Sequence, residues 1–382
     1  MAQDDTVAHP PLVYSFGVTA GYDYVASSSG DELRPGFPAD ERVSIHSDLP
    51  VNLRFGFSFT NPATRNYLPG GYQGLALGIL NFGACEKGGL KRAEKNIGYP
   101  VLGYIFQGGP FHHITPKVSL NYEWNFGAAF GWKPYSTLNE RFNLTVGSRV
   151  NAYLSLGIGV QWQINEHTAM FGGVTVSHFS NGNTSYPNPG VNSFGVRVGM
   201  VYTLNPIADG FPCAIKESGE KKRPEYDISI WGASRRRVYK SLETPVLRPG
   251  HFACAGISFA PMVRLGGWWR LGGSADIQWD ESADMDRNYI SGSDTEDIKF
   301  RRPEFFRQVS AGISAHGELQ MPVFAVNVGC GYNIYAPKEN RGTYQNITLK
   351  TYIGSKFFIN IGYQLRNFHQ PSSLMLGTGL TI

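Results

Sequence analysis

The chain has 382 residues, 46 of them glycine, with 13% aromatic and only 17% charged residues, a formal net charge of +4 and a mean hydropathy of −0.23. So few charges with so many aromatics exclude a disordered chain. The small net charge, with no basic run interleaved with aromatics, argues against a nucleic-acid partner. Apolar runs fall far short of the roughly 18 residues that a membrane-spanning helix needs. What remains is a large all-β chain, and the transmembrane β-barrel leads that class because it carries its apolar residues at alternate positions.

The N-terminus, Met1-Ala2-Gln3-Asp4-Asp5, has neither a basic start nor an apolar core. For a barrel exported to the outer membrane, this reads as a mature chain with an added start Met. Cys85, Cys213, Cys254 and Cys330 show no metal-finger spacing and no pairing suited to a bridge.

Period-two alternation then appears run after run. From Val118 to Trp132 the even positions are Val, Leu, Tyr, Trp, Phe, Ala, Phe and Trp, and the odd ones polar or Gly. Val146, Val150, Ala152, Leu154, Leu156, Ile158, Val160 and Trp162 form one side of the next run, and Phe324, Val326, Val328, Cys330 and Tyr332 one side of a later one. In this frame Cys330 faces lipid and Cys254 the lumen. About sixteen runs begin near residues 12, 50, 72, 99, 117, 146, 168, 191, 225, 250, 268, 305, 322, 346, 357 and 373. They predict a transmembrane antiparallel β-barrel of about 16 strands, with 14 as the alternative. Connections after even-numbered runs are short (165–167, 265–267, 320–321, 354–356) and those after odd ones mostly long (27–48, 133–145, 281–304), as outer-membrane barrels arrange them. The exception is the stretch 204–224, on the short-turn side. The chain therefore reads as a tail 1–11, a first half 12–205, a linker 206–224 and a second half 225–382. A separate soluble β-domain after 224 is the competing division.

One run carries chemistry. Met170, Val174 and Val176 form an apolar face that continues into His178 and Ser180. Residues i and i+2 of a strand are neighbours on one face, and a His beside a Ser hydroxyl is the beginning of an activated nucleophile. After the turn-rich stretch 181–190, Asn192 shares the outward parity with Phe194, Val196, Val198 and Met200. Three polar groups thus leave a greasy band at its outer edge, where polar groups are costly unless used. On alternation alone, a strand end meeting lipid headgroups is the favoured explanation.

The blocks His178-Phe179-Ser180-Asn181 and Pro187-Asn188-Pro189-Gly190, followed by Asn192, resemble the signature of the PagL family of outer-membrane lipid A 3-O-deacylases. The resemblance covers about 12–203, and 225–382 is similar to the longer, Bacteroidetes-type acyloxyacyl hydrolases. It implies a serine esterase of the bacterial outer membrane that removes an ester-linked acyl chain from the lipid A of lipopolysaccharide, with outer-membrane lipids around it and without metal or cofactor. Carried over, Ser180 is the nucleophile and His178 the general base, while Asn181, Asn183 and Asn188 sit where the oxyanion and substrate are positioned. The chain departs at the third triad position, where Asn192 replaces Glu. An amide holds an imidazole in place but does not compensate its positive charge. Asp40, Glu41 and Glu140 are the outer-loop carboxylates that a folded-over loop would have to bring in.

Lys87, Lys91, Arg92 and Lys95 read as solvated loop charges, or as contacts to lipid A phosphates. His316 and Glu318 share a lumen face and read as part of a hydrogen-bond network with Arg270, Asp276 and Glu123. The acidic loop 281–297, with Asp284, Asp286, Asp294 and Glu296, lacks calcium-loop spacing and reads as a solvated loop. The second functional reading is a catalytically inactive structural or channel-forming outer-membrane barrel. Sequence leaves the oligomeric state open.

Overall fold

A computed structural model of the protein describes residues 12–26, 45–59, 70–84, 98–134, 146–186, 190–207, 224–240, 245–247, 250–265, 269–285, 289–290, 299–300, 302–321, 324–354, 356–368 and 370–382. The fold is all-β and antiparallel. Eight long strands come first: β1 (Leu12–Ala26), β2 (Val51–Phe59), β3 (Tyr72–Ile79), β4 (Gly98–Thr115), β5 (Val118–Trp132), β6 (Val150–Gln163), β7 (Thr168–Ser180) and β8 (Val191–Thr203). Eight more follow: β9 (Pro224–Arg235), β10 (Phe252–Arg264), β11 (Trp269–Asp280), β12 (Val309–Gln320), β13 (Phe324–Tyr335), β14 (Gly342–Ile353), β15 (Phe357–Arg366) and β16 (Gln370–Thr381). Each corresponds to one of the sixteen runs expected from alternation.

These strands close as two rings of eight. In the first, neighbours in sequence pair from β1 to β8, and β8 returns to β1 over a register from Ser15↔Thr203 to Ala26↔Asn192. The short strands Ile45–Asp48 and Phe82–Ala84 extend this sheet at the end of β1. The second ring runs from β9 to β16 and closes through Asp227↔Thr381 to Gly232↔Leu376. The chain separates into two compact units that follow this division of the strands. Most tight connections (116–117, 164–167, 265–268, 321–323, 354–356) fall at one end of each ring and most of the longer ones at the other; the exceptions are 60–71, long on the tight end, and 367–369, short on the other.

Each exterior is apolar. Leu53, Leu77 and Val198 are 64%, 65% and 61% exposed, and Phe16, Ile158, Ile230, Ile313 and Leu376 are exposed with them. Burying one such side chain is worth roughly 1.5–3 kcal/mol. An exterior made of them is therefore stable against lipid rather than water, as in transmembrane barrels. The long-loop end is accordingly the cell-facing one.

The interiors are filled. In the first ring Arg54 donates to Glu123 (2.6 Å) and its guanidinium lies 3.9 Å from the centre of the Phe106 ring, while Arg197 pairs with Asp23. Towards the long-loop end the interior becomes apolar. Phe179 stacks on Tyr153 at 5.0 Å and meets Trp132 at 5.5 Å, and Phe82 meets Trp132 at 5.1 Å. Two of the residues expected on the lipid side belong to this plug. Gly131 adopts φ 91° and the pairing of β4 with β5 slips between Gly98 and Val101, a bulge that turns Trp132 inward to 2% exposure. Val146 precedes β6 and is buried in the same cluster.

In the second ring, Arg270 donates Nη2 to Asp227 Oδ1 (2.9 Å) and Nη1 to Glu318 Oε1 (2.6 Å). Lys350 Nζ reaches Asp227 Oδ2 (2.7 Å) and Glu318 Oε2 (2.6 Å). His316 Nδ1 lies 2.7 Å from Asn327 Oδ1, and Asn327 Nδ2 donates to Glu318 (3.2 Å). The expected lumen network of His316, Glu318, Arg270 and Asp276 is thus present, whereas Glu123 belongs to the other ring. Cys254 is buried and Cys330 exposed, both as free thiols. Cys85 and Cys213 lie outside the described residues. In the acidic loop the expectation of solvation fails at Asp284, which is buried and 3.6 Å from Arg307 Nη1.

Removing one partner of a buried ion cluster leaves the others uncompensated, at about 3–5 kcal/mol. Arg270→Met is expected to lower the unfolding free energy by about that amount, measured by urea titration in detergent micelles. A loss below about 1 kcal/mol would show that Lys350 alone neutralises Asp227 and Glu318.

Candidate active site

β7 and β8 form a hairpin whose register places Asn192 directly opposite His178. The pleat fixes which way each side chain points. Phe179 is 3% exposed inside the aromatic plug, so His178 and Ser180 on either side of it take the outward parity. Across the hairpin, Val191 and Ser193 are buried, and Asn192 between them is exposed. Val176 and Phe194 continue the same outer face as exposed apolar residues.

On this face His178 Nδ1 lies 2.7 Å from Asn192 Oδ1. The amide oxygen only accepts, so Nδ1 carries the proton and donates it. In a neutral imidazole that arrangement leaves the lone pair on Nε2. Ser180 pairs with Ala152 on the far side of β7 and is 5% exposed, so it shares the outward parity without standing open to solvent. Gly190 ties the two together. It takes φ 77°, and a Cβ there would lie 2.9 Å from His178 Cε1 and 3.5 Å from Ser180 Cβ. A single missing methyl therefore leaves room beside both groups.

The turn after β7 is held by Asn181. Its carbonyl accepts from Thr184 N (3.1 Å) and Thr184 Oγ1 (2.7 Å), and its Nδ2 donates to Ser185 O (3.2 Å). Asn183 adopts φ 65°, a left-handed conformation that Asn tolerates. Asn188 lies outside the described residues, as do Asp40, Glu41, Glu140, Lys87, Lys91, Arg92 and Lys95. No cluster of His, Cys, Asp or Glu able to hold a metal ion occurs among the described residues. Sequence reasoning found the shared parity of His178, Ser180 and Asn192, but read Gly190 only as part of a turn and of the family signature. Its place against the imidazole depends on a left-handed backbone that spacing does not reveal.

Residues 87–201 match the family described as lipid A 3-O-deacylase (PagL), and residues 224–382 match the acyloxyacyl hydrolase C-terminal domain; together they span most of the chain. No curated protein matches it. Among solved structures, an outer membrane channel from Pseudomonas putida F1 is similar at 13% identity over 100% of this chain and 98% of that one, with a TM-score of 0.20. CdiB from Acinetobacter baumannii is similar at 10% identity over 97% and 60% of the two chains, with a TM-score of 0.19. A Rh. blastica porin mutant is similar at 8% identity over 97% and 100%, with a TM-score of 0.16. TM-scores this low carry no inference.

Gly190→Ala is expected to force a left-handed Ala and a contact with the His178 ring, at about 1–3 kcal/mol. Imidazole ¹⁵N shifts of the folded variant should show the Nδ1–H tautomer of His178 lost. Unchanged shifts would mean that the backbone at 190 yields without disturbing the ring.

Proposed function

Because the chain belongs to the PagL family of lipid A 3-O-deacylases, its second half being the family's acyloxyacyl hydrolase C-terminal domain, we propose that Ser180, His178 and Asn192 form the catalytic triad of a serine esterase acting on lipopolysaccharide in the outer membrane. The observation that carries the assignment is the 2.7 Å His178–Asn192 hydrogen bond on the lipid-facing side of the strand that ends in Ser180.

In this scheme His178 Nε2 takes the proton of Ser180 Oγ as the oxygen attacks the carbonyl carbon of an ester-linked acyl chain. The carbonyl oxygen becomes an oxyanion, held by main-chain N–H groups of the turn and by Asn181, Asn183 and Asn188 as positioning residues. His178 returns the proton to the departing sugar oxygen. Water, deprotonated by the same imidazole, then releases the fatty acid from Ser180. Placement on the outer face lets the acyl chains stay in the bilayer throughout. Residues 206–224 serve as the linker between the two halves.

Asn192 sets the speed. It orients the imidazole but gives no charge to stabilise the imidazolium, and the comparable Asp-to-Asn change in a serine protease costs about 10⁴ in rate. A slow enzyme follows from that geometry. The channel reading finds no support in interiors crossed by Arg270, Lys350, Asp227 and Glu318 in one ring and by Phe82, Trp132 and Phe179 in the other.

Mass spectrometry of lipid A after incubation with the purified protein tests the assignment. One ester-linked chain is expected to be lost, and Ser180→Ala should slow that loss by about 10²-fold or more. Deacylation surviving in Ser180→Ala would remove Ser180 from its role. Asn192→Glu is expected to raise the rate tenfold or more; a clear fall would show that the amide itself is required.

A further inference from the structure

Residues 181–188, the turn that follows Ser180, group with the strands of the second ring in one compact unit. In that unit the closing seam is incomplete. β9 runs to Arg235 and β16 starts at Gln370, yet the two pair only from Asp227↔Thr381 to Gly232↔Leu376. Beyond that point β9 stays paired with β10, out to Arg235↔Phe252, and β16 with β15, out to Arg366↔Gln370. Two strand edges therefore part at the outer end of the ring. We infer, on the reading of Ser180 as the nucleophile, that this open seam is the seat of the turn, and that Ser372, Leu374 and Arg236 are positioning residues for the esterase.

The seat grips the turn from both edges. β16 carries a bulge: Gln364 pairs with Ser373 and Leu365 with Pro371, which leaves Ser372 as the extra residue. Its carbonyl accepts from Asn183 Nδ2 (3.4 Å) and from Arg235 Nη1 (3.1 Å). From the β9 side, Arg236 N donates to Asn183 O (3.3 Å). Asn183 thus gives a hydrogen bond to one edge and takes one from the other. Strand edges that part in this way offer backbone groups for pairing, and here the turn uses one from each side.

The turn is shaped for this place. Gly182 and Asn183 take φ 60° and 65°, and Thr184 N donates to Asn181 O (3.1 Å), which makes 181–184 a type I′ turn. Such turns favour Asn or Asp first and Gly second. Here the order is reversed, and the seam explains why. A Cβ at residue 182 would overlap the Cβ of Leu374 and lie 3.2 Å from its N and Cα. Only glycine fits against β16 there, while Asn in the second place supplies the amide that reaches Ser372. Leu374 is partly buried, although Leu376, the next residue on the same face, is 64% exposed. The direction of the turn's N–H groups, on which the proposed oxyanion depends, is thereby set from β9 and β16.

The test uses the full-length protein in detergent micelles. It reads amide hydrogen exchange of residues 181–186 by mass spectrometry, alongside the kinetics of lipid A deacylation. Leu374→Trp fills the seat, and Asn183→Asp sets a carboxylate against the Ser372 carbonyl. Each is expected to speed exchange in the turn about tenfold or more, while the strands of the second ring keep their protection. Leu374→Trp should also lower kcat about tenfold or more and leave KM within about twofold, because the seat orients the turn without holding the substrate. Exchange in the turn unchanged by both variants overturns the seat. Faster exchange with kcat unchanged overturns the positioning role. A wild-type protein without deacylation defeats the esterase reading, and with it the positioning role, while exchange still judges the seat. Should Leu374→Trp fail to fold, unchanged exchange in Asn183→Asp is the overturning result.

Discussion

Phe179 lies between Tyr153 and Trp132, and a strand pleat allows its two neighbours only the opposite direction. Without that anchor β7 could slip by one residue, and a one-residue slip turns every side chain to the other face. His178 and Ser180 would then enter the lumen and Phe179 would meet lipid. Asn192 depends on the same device in β8, where Val191 in the plug and Ser193 beside Asp23 hold it outward. The apolar plug thus positions polar groups on the opposite face of the same strands. This also explains why the aromatic cluster sits at the outer end of the ring, while the charged pairs Arg54–Glu123 and Arg197–Asp23 fill the remainder.

Much of this was legible in the sequence because alternation is a local signal. Each strand declares its two faces through its own residues, so all sixteen were visible, as was the shared parity of His178, Ser180 and Asn192. Trp132 escaped because a single glycine, Gly131, changes parity through a positive φ, which leaves no trace in spacing. Val146 escaped because the run of apolar residues continues past the point where β6 begins.

Closure is another matter. Whether β8 pairs with β1 or with β9 depends on edge hydrogen bonds between residues nearly two hundred positions apart, such as Ser15 and Thr203. Side-chain alternation is identical in either case. The long connection on the short-turn side, 204–223, was the one local hint that the chain leaves one ring before entering the next. Two rings of eight have a consequence that one ring of sixteen lacks. Eight strands enclose an interior just wide enough for side chains to fill, and both interiors here are filled.

The amide at Asn192 invites an explanation from the membrane, since a carboxylate facing lipid is unfavourable. Magnitudes argue against it. Near the interface a charged residue on the lipid face of a barrel costs about 0–1 kcal/mol, and acidic residues less than basic ones. A factor of about 10⁴ in rate is roughly 5.4 kcal/mol. Relief from the bilayer would therefore recover only a small part of what losing the charge forfeits. The 2.7 Å contact with Nδ1 shows what the amide does provide: an acceptor that holds the ring in one direction. In the proposed triad such an amide orients the imidazole without compensating its positive charge.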